Sequence, residues 1–227
     1  MISRQTNYLK GAITKMKRLF ASVISCVLIL SLICSGLTVF ATTITGAVDT
    51  DNFVRGVDVS TLDMLEDLGA RFYQNNVESD ALTILKNNGA NYVRLKLWVD
   101  PYDENGNPYG GGNNDYATTL ALARRAKNLG MGVLIDFHLS DFWTDPANQI
   151  KPKAWKDLSY SELKTTLYNY MKDTLNNFAA AGIVPEMVQV GNEISTGILH
   201  DDGKVGNGNE DFSNLAGLLE SAIAGVR

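Results

Sequence analysis

Cysteine is scarce in this sequence, with two residues in 227. Both of them, Cys26 and Cys34, lie in an apolar run near the amino terminus. The sequence beyond Ala41 therefore contains no cysteine, and it cannot depend on disulfide bonds even in an oxidising compartment.

Acidic residues are missing from the amino-terminal segment, because all 25 Asp and Glu lie beyond Ala41. Five of the 20 Lys and Arg lie before that point, so the remainder carries 15 minus 25, or about −10 charges. This excess of negative charge is repelled by phosphate backbones, so we expect no nucleic acid partner. A neutral polysaccharide would not be repelled, and the charge favours solubility.

The first 41 residues have the three parts of a secretory signal: a basic start, an apolar run and a small-residue exit. The run extends from Leu19 to Phe40, and the sequence VFA ends at Ala41. We therefore predict a signal peptide over 1–41, a secreted domain over 42–227 and no stable membrane insertion after cleavage. The alternative is an uncleaved anchor, since the run is long enough for a bilayer that needs roughly 20 apolar residues.

Short apolar runs alternate with longer amphipathic ones after Ala41, a pattern typical of parallel α/β folds. The predicted strands are Phe53 to Val59, Tyr92 to Trp98, Gly132 to His138 and Met187 to Val190. Helical periodicity indicates helices at Asp80 to Asn88, Tyr116 to Leu129, Ser161 to Ala181 and Phe212 to Val226. These four βα units, with polar residues where each strand ends, predict about the first four units of a (β/α)8 TIM barrel, whose active site lies at that end.

The fourth predicted strand is followed by Gly191, Asn192 and Glu193. A glutamate at the mouth of a strand suits a partly buried general acid, and the neighbouring amide could hold a sugar hydroxyl. The alternative is an ordinary glutamate at the amino terminus of a helix, completing a turn after Gly191.

The third predicted strand ends in IDFHLSDFW, which contains Asp136, His138, Asp141 and Trp143. Asp136 and His138 should face the same side, because strand side chains alternate with a period of two. Trp143 could stack on a sugar ring, or it could simply pack a loop. A metal site is the weaker interpretation, since no second histidine lies at ligand spacing and His200 is isolated.

The second predicted strand places Arg94, Lys96 and Trp98 on one face. In a barrel this polar set would point inward at the site end, where Arg94 could hold carboxylates. The alternative is an exposed edge strand whose basic side chains snorkel. Asp58, near the end of the first predicted strand, is either a carboxylate of the substrate pocket or a cap.

Four segments taken together resemble the endo-β-1,4-galactanases of glycoside hydrolase family 53. They are RGVDVS, NYVRLKLWVDPYDENGNPYGGGNNDY, GVLIDFHLSDFWTDPANQIKPKAW and MVQVGNE, in that order. They cover nearly all of Phe53 to Glu193. The resemblance implies a retaining (β/α)8 hydrolase that cleaves internal β-1,4-galactosidic linkages in the (arabino)galactan side chains of pectin, with this polysaccharide as its partner.

The resemblance also implies roles for individual residues, with Glu193 as the catalytic acid/base. Combined with the strand-end positions, it gives a substrate-binding set: Asp58, Arg94, Trp98, Asp136, His138, Asp141, Trp143 and Asn192. No cofactor or metal is expected in this chain. The family's nucleophilic glutamate follows its seventh strand, and its calcium site, where present, lies in the same half. We therefore expect the chain to be a truncated catalytic domain that is inactive alone.

Two alternatives to this function remain open at the level of the sequence. One is a related (β/α)8 hydrolase of the same clan that acts on a different sugar, such as a β-mannanase or a cellulase. The other is a secreted, non-catalytic fragment that binds sugar through its aromatic cleft. A panel of polysaccharides would separate the first alternative, and activity restored by supplying the missing half of the barrel would argue against the second.

We predict that export removes residues 1–41, because a basic start, an apolar run and VFA together specify a cleavable signal. Amino-terminal sequencing of the secreted protein should begin at Thr42. Recovery of the intact chain in the membrane fraction would contradict this prediction.

Overall fold

Four short parallel strands form the frame of the protein in the computed structural model, which describes residues 53–206, 208 and 210–227. The strands are β1 (Gly56–Asp58), β2 (Tyr92–Leu97), β3 (Gly132–Phe137) and β4 (Met187–Val190). They lie side by side in chain order, and each neighbouring pair is parallel. The signal peptide predicted over 1–41, with both cysteines, lies outside the described residues.

Helices alternate with these strands along the chain. The described α-helices are α1 (Leu62–Asp67), α2 (Ala81–Asn87), α3 (Tyr116–Asn128), α4 (Tyr160–Ala180) and α5 (Ser213–Val226). Parallel strands in chain order, each joined to the next through a helix, form successive units of a (β/α)8 barrel. The predicted fold class, with four βα units in this chain, is confirmed.

The ends of the helices follow capping signals in the sequence. Ser159 and Glu162 form a capping box at the start of α4, as the segment SYSEL predicts. Asp115 caps α3 by accepting a hydrogen bond of 2.8 Å from the Thr118 N–H. Gly130, with φ of 66°, adopts the left-handed conformation just beyond α3, as expected for a glycine that stops a helix.

Alternate residues of the two central strands form the apolar core with the helices. The buried strand residues include Val93, Leu95 and Leu97 of β2 and Val133, Ile135 and Phe137 of β3. The helices contribute Leu122, Leu163, Leu167, Met171 and Phe178. Because strand side chains alternate, Arg94, Lys96 and Asp136 face the other side of the sheet, which is the interior of a barrel.

The first unit differs from the sequence prediction in its details. A strand was expected over Phe53 to Val59, whereas the ladder with β2 covers Gly56–Asp58. Within the described sheet, β1 is an edge strand with one neighbouring strand. The residues before and after it therefore have no second strand with which to pair. The following loop contains α1 and a small hairpin of Tyr73–Gln74 with Val77–Glu78, neither of which was predicted. Elements this short carry too few residues for a periodic signal.

The longest described helix, α4, has 21 residues and buries a single face. Its buried residues recur at helical spacing, whereas the residues between them are exposed or partly exposed. In the part of the chain that the structure describes, no helix combines the length and the apolar character required to cross a bilayer.

An ionic network holds the short strand β1 against β2. Asp58 Oδ2 lies 2.6 Å from Arg94 Nη1 and 2.7 Å from Lys96 Nζ. Asp58 Oδ1 accepts hydrogen bonds from the Ser60 N–H and hydroxyl at 3.0 and 2.7 Å. Partial burial by itself would raise the pKa of the Asp58 carboxyl, but hydrogen bonds from Lys96 and Ser60 outweigh burial and lower the pKa to about 2.

We expect Asp58→Asn to lower the free energy of unfolding at pH 7 by about 1–2 kcal/mol, a figure discounted for solvent screening. An ionised Asp58 stabilises the fold fully above its ordinary pKa of 3.8, and this contribution is lost as the pH falls towards a folded-state pKa of about 2. Denaturant unfolding of both proteins at pH 7, 4 and 2.5 should show a difference that shrinks on acidification. Asp157→Asn is the control, because the Asp157 side chain is 88% exposed. A difference at pH 2.5 as large as that at pH 7 would contradict the prediction.

Candidate active site

Arg94 is the centre of a polar network at the carboxyl ends of the strands. Its Nη1 lies 2.6 Å from Asp58 Oδ2 at the end of β1, and its Nη2 lies 2.6 Å from Asp136 Oδ2 on β3. Nη2 also donates a hydrogen bond of 2.9 Å to Asn192 Oδ1, and Nε donates one of 3.3 Å to Gln189 Oε1 on β4. One guanidinium thus joins polar groups from the other three units of the sheet, and the rigid fork of donors fixes their positions.

The interpretation of β2 as an exposed edge strand is wrong. β2 pairs with β1 on one side and with β3 on the other. Lys96 is 7% exposed, and its Nζ lies 2.7 Å from Asp58 Oδ2 and 4.6 Å from the centroid of the Trp143 ring. The ammonium group is therefore held inside the site between a carboxylate and an aromatic face.

Asp136 and His138 are buried beside Arg94, with 0% and 1% exposure. His138 Nδ1 accepts the Thr144 N–H at 3.0 Å, so the ring proton lies on Nε2, which is 3.0 Å from Asp136 Oδ2. The contacts of Asp136 Oδ2 are close but poorly aligned for hydrogen bonds, and Asp136 Oδ1 has no hydrogen-bond partner among the described residues. Both residues face the same side, as the period of two predicts. Both residues were predicted to contact the substrate directly. Their burial does not support such a contact, and their position beside Arg94 indicates that they orient its guanidinium group.

Asn192 is fixed from two directions. It is 6% exposed, and its Nδ2 donates a hydrogen bond of 2.6 Å to the Thr144 carbonyl while its Oδ1 accepts one from Arg94. Both ends of the amide are therefore bound within the protein. In this arrangement Asn192 connects the end of β4 to the loop after β3, and its predicted contact with a sugar stays a prediction.

Glu193 is the first residue beyond this fixed point, and it is exposed. Its backbone has φ 51° and ψ 47°, a left-handed conformation that costs a non-glycine residue about 1–3 kcal/mol. Among the described residues, no group forms a hydrogen bond or an ion pair with its carboxylate. The expected partial burial is not found within the described residues, since the Glu193 side chain is exposed there.

The alternative interpretation of Glu193, as a glutamate that serves a helix end, is not supported either. A three-residue 3-10 helix, Ile194–Thr196, follows Glu193, and the Glu193 side chain makes no capping hydrogen bond. The Glu193 carboxylate, which has no polar partner among the described residues, is therefore accessible to a ligand.

An open groove of about 750 Å³ lies between the loops that follow β2 and β3. Its lining includes the aromatic side chains of Tyr109, Phe142 and Trp143, which are 45%, 40% and 42% exposed. Exposed aromatic rings on a groove suit the apolar faces of pyranose rings. Trp143 lies where its predicted stacking on a sugar is possible.

Trp98 and Asp141 have mainly structural contacts. Trp98 is 1% exposed and packs against Phe142 with ring centroids 4.9 Å apart, so it presents no face to a sugar and its predicted role is corrected. Asp141 lines the groove, but its two oxygens accept hydrogen bonds from the Asp100 and Lys153 N–H groups at 3.1 and 2.8 Å. Burial raises the pKa of the Asp141 carboxyl above its ordinary value.

The interpretation of the third strand as part of a metal site is not supported by the side chains that the structure describes. Both ring nitrogens of His138 face protein groups, and His200 Nε2 lies 2.9 Å from the Thr196 carbonyl oxygen. Within residues 53–206, 208 and 210–227, no three His, Cys, Asp or Glu side chains are grouped so that they could hold a metal ion.

Two residues of the site were missed by reasoning from the sequence. Gln189 alternates with Val188 and Val190 in β4, and that alternation was a usable signal for an inward-facing polar group. Gln149 is 2% exposed and donates a hydrogen bond of 2.8 Å to the Asn192 carbonyl. It lies in an irregular loop, so no periodic pattern in the sequence distinguishes it.

Comparisons with known proteins agree with this geometry. The sequence model of glycosyl hydrolase family 53 matches residues 54–227. The endo-beta-1,4-galactanase of Bacillus subtilis is 44% identical over 177 residues, covering 78% of this chain and 39% of the relative. Arabinogalactan endo-beta-1,4-galactanase A of Aspergillus niger is 41% identical over 174 residues, covering 76% of this chain and 46% of the relative. The chain thus spans less than half the length of these curated relatives.

A solved structure extends the similarity to three dimensions. The family 53 catalytic domain of Ignisphaera aggregans superposes with a TM-score of 0.74 at 48% identity, covering 80% of this chain and 49% of that one. Sequence match, structural match and the arrangement of the strand ends point to the same conclusion. The chain belongs to glycosyl hydrolase family 53.

Proposed function

We propose that this chain is part of a secreted endo-acting galactanase that hydrolyses internal β-1,4-galactosidic linkages in the (arabino)galactan side chains of pectin. The observation that carries the proposal is the exposed carboxylate of Glu193 at the end of β4, which has no polar partner among the residues that the structure describes. The named relatives, which are endo-β-1,4-galactanases, supply the reaction class. The basic and apolar amino-terminal sequence supports export.

The proposed mechanism is a retaining double displacement with Glu193 as the acid/base. In the first step, Glu193 donates its proton to the glycosidic oxygen as a nucleophilic carboxylate attacks the anomeric carbon. In the second step, the Glu193 carboxylate takes a proton from the water that releases the sugar, which restores both groups. The nucleophile should lie about 5–5.5 Å from Glu193 across the bond that breaks.

The carboxylates already in the polar network are poor candidates for that nucleophile. Asp58 and Asp136 both lie 2.6 Å from Arg94, and Asp136 is fully buried. A carboxylate paired with a guanidinium is a weak nucleophile, and a buried one does not reach an anomeric carbon. We therefore propose that the nucleophile comes from a part of the barrel outside β1 to β4.

The sugar specificity follows from the relatives rather than from the site. The strand-end network contains no feature that distinguishes galactan from mannan or cellulose, whereas the named relatives are galactanases. The groove with Tyr109, Phe142 and Trp143 supports a polymer as the ligand, because several exposed rings can contact successive sugars. Hydrolysis of mannan or cellulose in preference to galactan would favour the other members of the clan.

We expect Glu193→Ala, in the full natural product of the gene, to lower turnover of galactan by roughly 10²- to 10⁴-fold, the usual contribution of acid/base catalysis. Dinitrophenolate is a leaving group that departs without being protonated, so the glycosylation step of dinitrophenyl glycosides should be affected much less. Values of kcat/KM on both substrates measure this difference, because kcat/KM reports the steps up to glycosylation. Glu220→Gln is the control, since Glu220 is also an exposed glutamate but lies on α5. Retention of most of the galactan activity would refute the assigned role.

We expect residues 42–227, purified alone, to show no activity on galactan and to associate with other copies of the same fragment. The described strands form an open sheet whose outer strands, β1 and β4, have one neighbour each, and unpaired strand edges recruit other chains. The proposed mechanism also requires a second carboxylate at catalytic distance. Size-exclusion chromatography and an assay for reducing ends test both parts. Release of galacto-oligosaccharides by a monodisperse preparation would show that the expectation is wrong.

A further inference from the structure

The loop after β3 is fastened to the chain on both sides of Glu193. Gln149 Nε2 donates hydrogen bonds to the carbonyls of Asn192 and Glu193 at 2.8 and 3.4 Å, and to the carbonyl of Asp145 in its own loop at 3.1 Å. The Gln149 carbonyl accepts the His200 N–H at 2.7 Å. Gln149 is 2% exposed, so water does not compete for these hydrogen bonds.

The three acceptors fix the orientation of the Gln149 amide. All are backbone carbonyl oxygens, so the nitrogen end of the amide has to face them, and an amide turned the other way would place oxygen against oxygen. A buried donor matched to buried acceptors is costly to remove, because the Asn192 carbonyl would keep only the Thr144 hydroxyl, at 3.5 Å.

The carbonyls of Asn192 and Glu193 lie on either side of the Glu193 Cα atom, and their shared donor shows what the Gln149 amide does. Successive carbonyls of an extended strand point in opposite directions, so one donor reaches both only where the chain turns between them. That turn is the left-handed conformation of Glu193, with φ 51° and ψ 47°. The Gln149 amide and the strained Glu193 backbone are therefore two parts of one arrangement.

We propose that Gln149 is a positioning residue for the acid/base, which aims the Glu193 carboxylate by holding the Glu193 backbone in its left-handed turn. This inference rests on the proposed function for its catalytic consequence, although the backbone effect is independent of it. Gln149 itself does not touch the substrate. Its loop also lines the aromatic groove through Asp145 and Asn148, so the same loop couples the ligand surface to the acid/base.

The matched pair of variants is Gln149→Met and Thr196→Val. Gln149→Met keeps a similar volume and removes the amide donors. Thr196→Val removes a hydrogen bond of 2.6 Å from the Thr196 hydroxyl to the Pro146 carbonyl. That bond joins the same two loops without involving the carbonyls of Asn192 or Glu193. Both variants loosen the contact between the loops, and only the first releases the turn at Glu193.

The first readout is structural and does not require activity. Crystal structures of the full natural gene product should show Glu193 leaving the left-handed region in Gln149→Met and keeping it in Thr196→Val. An unchanged Glu193 backbone in Gln149→Met would overturn the proposal. If Gln149→Met does not fold, Gln149→Leu, which also removes the amide donors, replaces it with the same two outcomes.

The second readout is the dependence of kcat/KM on the leaving group. A carboxylate displaced by about 1 Å should cost roughly 10- to 100-fold on galactan. The cost should be less than threefold on 2,4-dinitrophenyl β-galactobioside, whose first step needs no acid. An equal loss on both substrates, or the same pattern in Thr196→Val, would assign Gln149 a merely structural role. If the wild-type protein is inactive on galactan, the proposed function fails, and the Glu193 backbone still decides the role of Gln149.

Discussion

The arrangement of the site depends on the ionic contacts of one guanidinium. Arg94 lies 2.6 Å from carboxylates at the ends of β1 and β3 and donates a hydrogen bond to Asn192 after β4. If this guanidinium were absent, Asp136 would be a fully buried carboxylate without its compensating charge, a condition that strongly destabilises folded proteins. The network therefore serves the fold and the site together, since the charges that hold the strand ends also fix the residue before Glu193.

Glu193 differs from its neighbours in how its side chain is held within the described part of the chain. Asp58, Asp136 and Asn192 are all held by Arg94, whereas the Glu193 carboxylate has no polar contact with the residues that the structure describes. Its backbone is constrained instead, through Asn192 on one side and the Gln149 amide on the other. A rigid backbone with an unoccupied carboxylate combines a defined direction with freedom to exchange a proton.

The aromatic residues divide into two groups with different physical roles. Trp98 is buried and packs against Phe142, whereas Tyr109, Phe142 and Trp143 are exposed on the groove. Lys96 sits 4.6 Å from the Trp143 ring and also pairs with Asp58, so the position of that ring is tied to the ionic network. Buried rings thus set the shape of the surface, and exposed rings are left to contact a ligand.

The sequence by itself determined the four βα units, the helix caps and the line of polar residues at the strand ends. These features are local or periodic, and the alternation in β2 and β3 and the signals at Ser159 and Gly130 express them directly. Only the tertiary structure decided which of those polar residues are buried. No pattern in the sequence separates Asp136, His138 and Trp98 from Trp143, yet packing in the folded chain buries the first three and leaves Trp143 exposed. Gln149 and the turn at Glu193 were out of reach for the same reason, because a hydrogen bond between two irregular loops follows no period in the chain.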